Sequence, residues 1–219
     1  MMHAAELVVA SALYWHLIEM VARQVVPAAA VGRAAGFWHA VLALFFLSRA
    51  EVDVTAQLAM STGYFAWELV SALRGAARGR LEPEKLAHAL ICGAGYAAVL
   101  QQPRGSRMAV YAVNFLWFEA STPFLHASWA LHKWRRRGSA LAAVFKLAFV
   151  LSFVASRVVY GGRLTREAFD EFDFRRSGAE AVCLALVAAS AALNLYWLHR
   201  IVRMALRSVV GPPPGKRRD

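Results

Sequence analysis

The sequence predicts an all-α protein, a multi-pass bundle of about seven helices that cross a membrane. Three observations carry that prediction. Of the 219 residues, 59% are hydrophobic and the mean hydropathy is +0.42, well above the roughly 45–50% apolar share of soluble domains. The formal net charge of +11 sits in short clusters at the ends of apolar runs, which reads as a set of topology signals and argues against a nucleic-acid-binding face. The stretch from Arg107 to Arg137 is apolar enough to enter a bilayer yet polar at its centre, a pattern that suits only a helix with one face turned into a bundle.

That stretch organises the rest. It carries Asn114, Glu119, Ser121, Thr122 and His126 through its middle. A carboxylate facing hydrocarbon costs several kcal/mol, so Glu119 belongs in an interior or a polar cavity. Glu119, Thr122 and His126 stand at i, i+3 and i+7, on one helical face. Pro123 lacks the N–H that would bond the Glu119 carbonyl, so a kink is predicted beside the polar face. The segment stops at Lys133, Trp134, Arg135, Arg136 and Arg137, an interfacial aromatic followed by a headgroup-level cationic cluster.

The first predicted span covers residues 4–26. It has no positive n-region and contains Trp15, His16 and Glu19, so it reads as a retained helix and not a cleaved signal. His16 and Glu19 share a face and form a helix-packing polar pair. A second span, 33–50, holds His39 at its centre, where a bond to a neighbouring helix is expected. The third, 54–74, places Tyr64 and Glu68 one turn apart. Beyond the polar linker ARGRLEPEK, Pro83 suits a first helical turn and Glu82 and Glu84 suit its positive dipole end. The fourth span, about 84–101, then presents His88, Cys92, Gly95 and Tyr96 on one face, with Gly93 and Gly95 small enough for close helix approach.

The fifth span is the Arg107–Arg137 stretch. The sixth, 139–160, buries Lys146 and ends near Arg157, both long enough to snorkel from near an interface. Residues 161–176 read as a loop containing a short helix that lies on the membrane surface. The last span, 178–199, contains Cys183 and Asn194 and continues as a basic amphipathic extension through Arg200, Arg203 and Arg207. The sequence GPPPGKRRD follows as a disordered tail. Cys92 and Cys183 lie in apolar runs and read as reduced packing residues. Seven spans divide the basic residues of the loops 16 to 8, with Lys146 set aside as intramembrane. The richer side is cytosolic, which puts the N-terminus on the lumenal or outer side and the C-terminus in the cytosol.

Four phrases in order, STGYFAWELV at 61–70, LAHALICGAGY at 86–96, NFLWFEASTPFL at 114–125 with the following SWAL, and NLYWLHRIVRMAL at 194–206, resemble the TLC family. That multi-pass domain is shared by translocating-chain-associated membrane proteins, ceramide synthases and smaller TLC-domain-containing lipid-homeostasis proteins, and the resemblance is to the last group most. It covers 33–207, leaving 1–32 as a preceding span with its loop and 208–219 as a basic cytosolic tail. It implies six helices around a central cavity suited to an acyl chain, with the headgroup near Tyr64, Glu68, Tyr96, Asn114, Ser121, Thr122 and His126.

Ceramide synthases carry adjacent histidines on one span and two acids around a serine on the next. Those patterns fall here on Ala87 and His88, and on Glu119, Ser121 and Thr122, so half of each pair is missing. His88 and Glu119 are the catalytic candidates that remain. The resemblance therefore implies a protein that binds or senses lipid and influences membrane lipid composition. The alternatives are an N-acyltransferase with acyl-CoA as substrate, and an accessory factor for membrane-protein insertion or trafficking. Membrane lipid is the expected partner; no nucleic acid, metal or cofactor is expected. Lys216 and Arg217, at the fourth and third positions from the end, resemble a dibasic retrieval signal and give an endoplasmic reticulum address.

Overall fold

The computed structural model describes residues 3–49, 52–103, 105–134 and 139–210, and every regular element among them is helical. The chain runs through seven helical rods. The first is α1 (Ala4–Val25); a 3₁₀ turn at Ala28–Ala30 leads into α2 (Val31–Leu47); α3 (Val54–Ala76) and α4 (Pro83–Leu100) follow. The fifth rod is composite: α5 (Arg107–Phe115), a 3₁₀ stretch (Leu116–Ser121) and α6 (Thr122–Lys133). So is the sixth, which joins α7 (Ala140–Phe153), a π-helical stretch (Val154–Tyr160) and α8 (Gly161–Glu171); α9 (Gly178–Val210) ends the bundle. Four stretches are long and apolar enough by themselves to cross a membrane: Ala4–Val25, Ala28–Leu47, Ala140–Glu171 and Gly178–Arg207.

Local sequence starts these helices where capping chemistry allows. The Asp53 carboxylate accepts from the Thr55 N–H, Ser106 from Ala109 and Ser139 from Ala142, and Pro83 opens α4. The interior is closed by Trp15, Leu58, Phe65, Trp67 and Leu116, all essentially buried. The exterior is apolar as well: Leu13, Val21, Val144, Leu147, Leu151 and Leu195 are each about half exposed or more. That inversion of the soluble pattern is what a hydrocarbon solvent permits, because lipid tails cost these side chains nothing. The chain is a multi-pass transmembrane helical bundle.

Close approach replaces the hydrophobic drive between such helices. Gly63 lets α1 lie directly on α3: a Cβ there would fall 2.4 Å from Ser11 Oγ and 2.8 Å from the Ala12 amide nitrogen. Ser11 and Trp15 both donate to the Met60 carbonyl across this contact. Gly93 gives α4 a similar approach to Phe65.

Several sequence expectations change here. Lys146 is not buried; it lies on the exposed face of α7. Arg157 does not snorkel: it is 8% exposed and turned into the bundle. Residues 161–171 are no separate surface helix, because α8 continues the sixth rod and packs on α5 and α9. The amphipathic pattern that suggested a membrane-surface helix buries Leu164 and Ala168 against protein instead. In the first rod, Glu19 is held by Arg23 and by the Trp67 indole N–H at 2.8 Å, with His16 only at 3.7 Å. His39 is within 3.3 Å of the Ser61 hydroxyl on α3, a bond to a neighbouring helix as expected. The cluster Arg135–Arg137 and the retrieval candidates Lys216 and Arg217 lie outside the described residues.

Candidate functional site

The site begins with Pro123. Without its N–H, the Glu119 carbonyl is served by the Thr122 N–H in a tighter i, i+3 bond, and the chain runs as a 3₁₀ stretch from Leu116 to Ser121. This is the interruption predicted beside the polar face. It has a second effect: the Thr122 N–H, now used by Glu119, is not available to the Phe118 carbonyl. That oxygen accepts instead from Arg157 Nε at 3.0 Å and from the Ser121 hydroxyl at 3.3 Å.

Arg157 comes from the π stretch of the sixth rod, and π turns recur where a helix must present a side chain out of its ordinary register. Its Nε–H also reaches Ser121 Oγ at 3.2 Å, and its Nη1 donates to Asn194 Oδ1 on α9 at 3.3 Å. The faces of Trp197, Phe118 and Phe153 stand 5.4, 5.6 and 5.8 Å from the guanidinium carbon, within the range of cation–π attraction. Arg107 pairs with Glu171 and so sets the ends of α5 and α8 side by side. Counting from that side at 1.5 Å per residue, Glu119, Arg157 and Asn194 lie about 18, 21 and 24 Å along their rods. In a hydrocarbon core of about 30 Å they lie beyond the midplane, toward the opposite side.

These residues enclose a cavity of ≈ 380 Å³, mouth included, with Glu119, Arg157, Asn194, His88, Cys92 and Tyr96 in its wall. A second, apolar limb of ≈ 630 Å³, likewise counted with its opening, lies between α4, α5, α8 and α9; Val99, Met108, Phe172, Leu184 and Val187 are among its lining. The two limbs share Ile91, Cys92, Tyr96, Phe115 and Ser190 as a common wall. A more polar limb and an apolar limb thus lie side by side against one set of residues.

The sequence candidates fall into three positions. His88, Glu119 and Tyr96 line the polar limb, Tyr96 lining the apolar one too. Glu119 is 6% exposed with the Thr122 hydroxyl as its hydrogen-bonding neighbour. Behind His88 stands a chain of contacts: Tyr64, stacked on His39 at 3.9 Å, donates to Glu68 Oε1 at 3.3 Å, and Glu68 Oε2 lies 3.5 Å from His88 Nδ1. The immediate polar partners of His88 are therefore Glu68 and, one turn along its own helix, Cys92. His126 packs beside Tyr64 over α2, where a Cβ on Gly36 would fall 2.8 Å from His126 Nε2 and 3.1 Å from the Tyr64 hydroxyl. The third position is outside the cavity wall: Ser121 serves Arg157, and Asn114 bonds the Val110 carbonyl and accepts from the Tyr160 hydroxyl at 2.8 Å.

Sequence reasoning missed Arg157, Asn194 and Trp197 as parts of this site. The signal present was a charged residue at the end of an apolar run, which serves an interfacial and an interior position equally well. Both cysteines are free thiols; Cys92 lines both limbs and Cys183 the apolar one. Chemically, the arrangement offers a cation, a carboxylate and an imidazole around one pocket, with an apolar pocket beside it.

A family model described as the TLC domain matches residues 10–203. The match reaches into α1, whose Trp15 is fully buried against the remainder of the bundle. No curated protein and no solved structure matches the chain.

Proposed function

We propose, from the premise that the chain belongs to the TLC-domain family, that its two-limbed cavity holds one membrane lipid and that the protein binds or senses this lipid to influence membrane lipid composition. The observation that supports this is the junction itself. An apolar limb borders a more polar one across Ile91, Cys92, Tyr96, Phe115 and Ser190, an arrangement that suits an amphiphile whose chain and headgroup need different surroundings. The proposal extends to an endoplasmic reticulum address with the C-terminus cytosolic, supported by the division of Lys and Arg among the loops and by the dibasic tail.

The test is to purify the protein in mild detergent and identify retained lipids by mass spectrometry, beside a Leu184→Trp variant that fills the apolar limb. Enrichment of one lipid class over the bulk extract, lost in the variant, is the expected result. Retention identical to bulk lipid in both proteins would end the reading.

A second reading has one observation in its favour: His88 and Glu119 line the same polar limb. An imidazole and a carboxylate around a headgroup can pass a proton to or from a lipid amine or hydroxyl as its acyl bond forms and the thiol of CoA departs. Product formation from acyl-CoA and an amine-bearing lipid, abolished in His88→Ala, is its test.

A further inference from the structure

The Arg157 guanidinium is buried inside the bundle, and among the described residues no acid pairs its charge. Of the five N–H donors of an arginine, Nε–H is shared by the Phe118 carbonyl and Ser121 Oγ, and one Nη1–H goes to Asn194 Oδ1. All three acceptors are neutral. Among the described residues no carboxylate lies within ion-pair distance of Arg157, and none of the ion pairs includes Glu119. Yet both side chains line the same small chamber, with Arg157 8% and Glu119 6% exposed. Two opposite charges in a low-dielectric interior attract strongly across several ångströms and lose solvation they would have had in water. Here they are held apart, Arg157 by backbone and amide acceptors on two rods and Glu119 on the 3₁₀ stretch with Thr122 beside it.

We propose that this separation is a headgroup receptor: the free N–H groups of Arg157 take an acidic oxygen of the lipid, a carboxylate or phosphate, while the Glu119 carboxylate takes a hydroxyl or ammonium donor of the same headgroup. The proposal rests on the lipid-binding reading above and gives the ligand's chemical class. A neutral headgroup leaves both charges uncompensated, a purely cationic one meets Arg157, and a purely anionic one meets Glu119. Only a headgroup with both an acidic oxygen and a nearby donor satisfies the two together. The planar guanidinium matches the two oxygens of a carboxylate or phosphate in a way that an ammonium does not. Asn194 and Ser121, 4% and 2% exposed, aim it and do not themselves line up with both poles.

The full-length protein in detergent is incubated with four single-chain probes, and the retained fraction of each is measured by native mass spectrometry. The probes are 2-hydroxyoleate (carboxylate and hydroxyl), lysophosphatidylethanolamine (phosphate and ammonium), oleate (carboxylate alone) and monooleoylglycerol (neutral). The expected result is retention of one of the first two at least tenfold over monooleoylglycerol, and which of the two identifies carboxylate or phosphate. Arg157→Lys is expected to reduce that preference at least tenfold, and Glu119→Gln to erase the preference for the donor-bearing probes over oleate. The selectivity of the unmodified protein tests the proposal even if a variant fails to fold. Equal retention of monooleoylglycerol and the acidic probes overturns the headgroup assignment while leaving lipid binding intact. Retention of no probe, with no lipid co-purified, overturns the lipid-binding reading itself.

Discussion

Arg157 donates its Nε–H to the Phe118 carbonyl at 3.0 Å, and it can do so because Pro123 stands five residues further along the same rod. The proline takes away the donor for Glu119; Thr122 shifts its N–H to Glu119; Phe118 is left with a lone pair facing the sixth rod. One missing hydrogen thus prepares an acceptor for a buried cation.

Pro123→Ala restores that donor. The 3₁₀ stretch is then expected to relax toward α-helix, returning the Thr122 N–H to Phe118 and leaving Arg157 to compete for it. A hydrogen bond to a charged group contributes about 1.5–3 kcal/mol against about 1 for a neutral one, so thermal stability is expected to fall modestly and retained lipid to fall with it. A variant more stable than the parent with lipid unchanged would show that the proline break does not serve Arg157.

Asn194 and Arg157 are expected to behave as a unit. Asn194→Ala strands one N–H of a buried guanidinium, at a cost of about 1–3 kcal/mol, and the same change made in an Arg157→Met background has much less to strand. Thermal denaturation of the two single variants and the double should give a clearly sub-additive loss.

His88 should couple more strongly to Glu68 than to Glu119. The first pair is in contact at 3.5 Å, whereas the second shares only a cavity wall. Double-mutant cycles by thermal denaturation are expected to give about 0.5–3 kcal/mol for His88 with Glu68 and a smaller value for His88 with Glu119. The reverse order would mean that the polar limb closes around its occupant.

Two glycines make a controlled comparison of packing. Gly63→Ala puts a Cβ against Ser11 and the backbone of Ala12, whereas nothing lies within 4 Å of a Cβ at Gly162. Overpacking costs about 1–3 kcal/mol, while a helical glycine with open space gains about 0.5–1 kcal/mol on becoming alanine. Melting temperatures should therefore move in opposite directions, and a drop in both would place the penalty elsewhere than at the α1 and α3 contact.

With Arg157 in the interior, the loop arginines and lysines divide sixteen against seven. A tag after Asp219 is expected to be accessible in cells permeabilised only at the plasma membrane, and one before Met1 to be protected. Equal accessibility of both ends would require an even number of crossings.

Much of the site was legible because its causes are local. Glu119 must avoid hydrocarbon wherever the neighbouring helices lie, and Pro123 removes a donor whatever surrounds it, so the polar face and its helix break follow from a dozen residues. The contact of Tyr64 with Glu68 is likewise one helical turn. Asn114 shows the limit of reading by proximity in sequence: five residues before Glu119, it stands about 140° around an ideal helix from it, and it bonds Tyr160 outside the cavity. Glu68 meeting His88 depends on how α3 and α4 are rotated against each other, which no single span encodes.

Lys146 and Arg157 mark the boundary between what the sequence determined and what the tertiary structure decided. The sequence determined that both sit in one apolar rod, that the chain is a multi-pass bundle of such rods, and that a carboxylate faces inward from the fifth, since hydropathy, helix period and proline chemistry act along the chain. It could not separate the two cations, for eleven residues at 3.6 per turn return to nearly the same face, about 20° apart. The folded protein exposes Lys146 and buries Arg157. The π stretch at Val154–Tyr160 underwinds the rod where Arg157 sits, and there the rod meets the 3₁₀ stretch and α9. The Phe118 carbonyl, Ser121 and Asn194 wait at that point and nowhere else along the rod, so a buried cation is satisfied at 157 by acceptors that only the packing of three distant segments brings together.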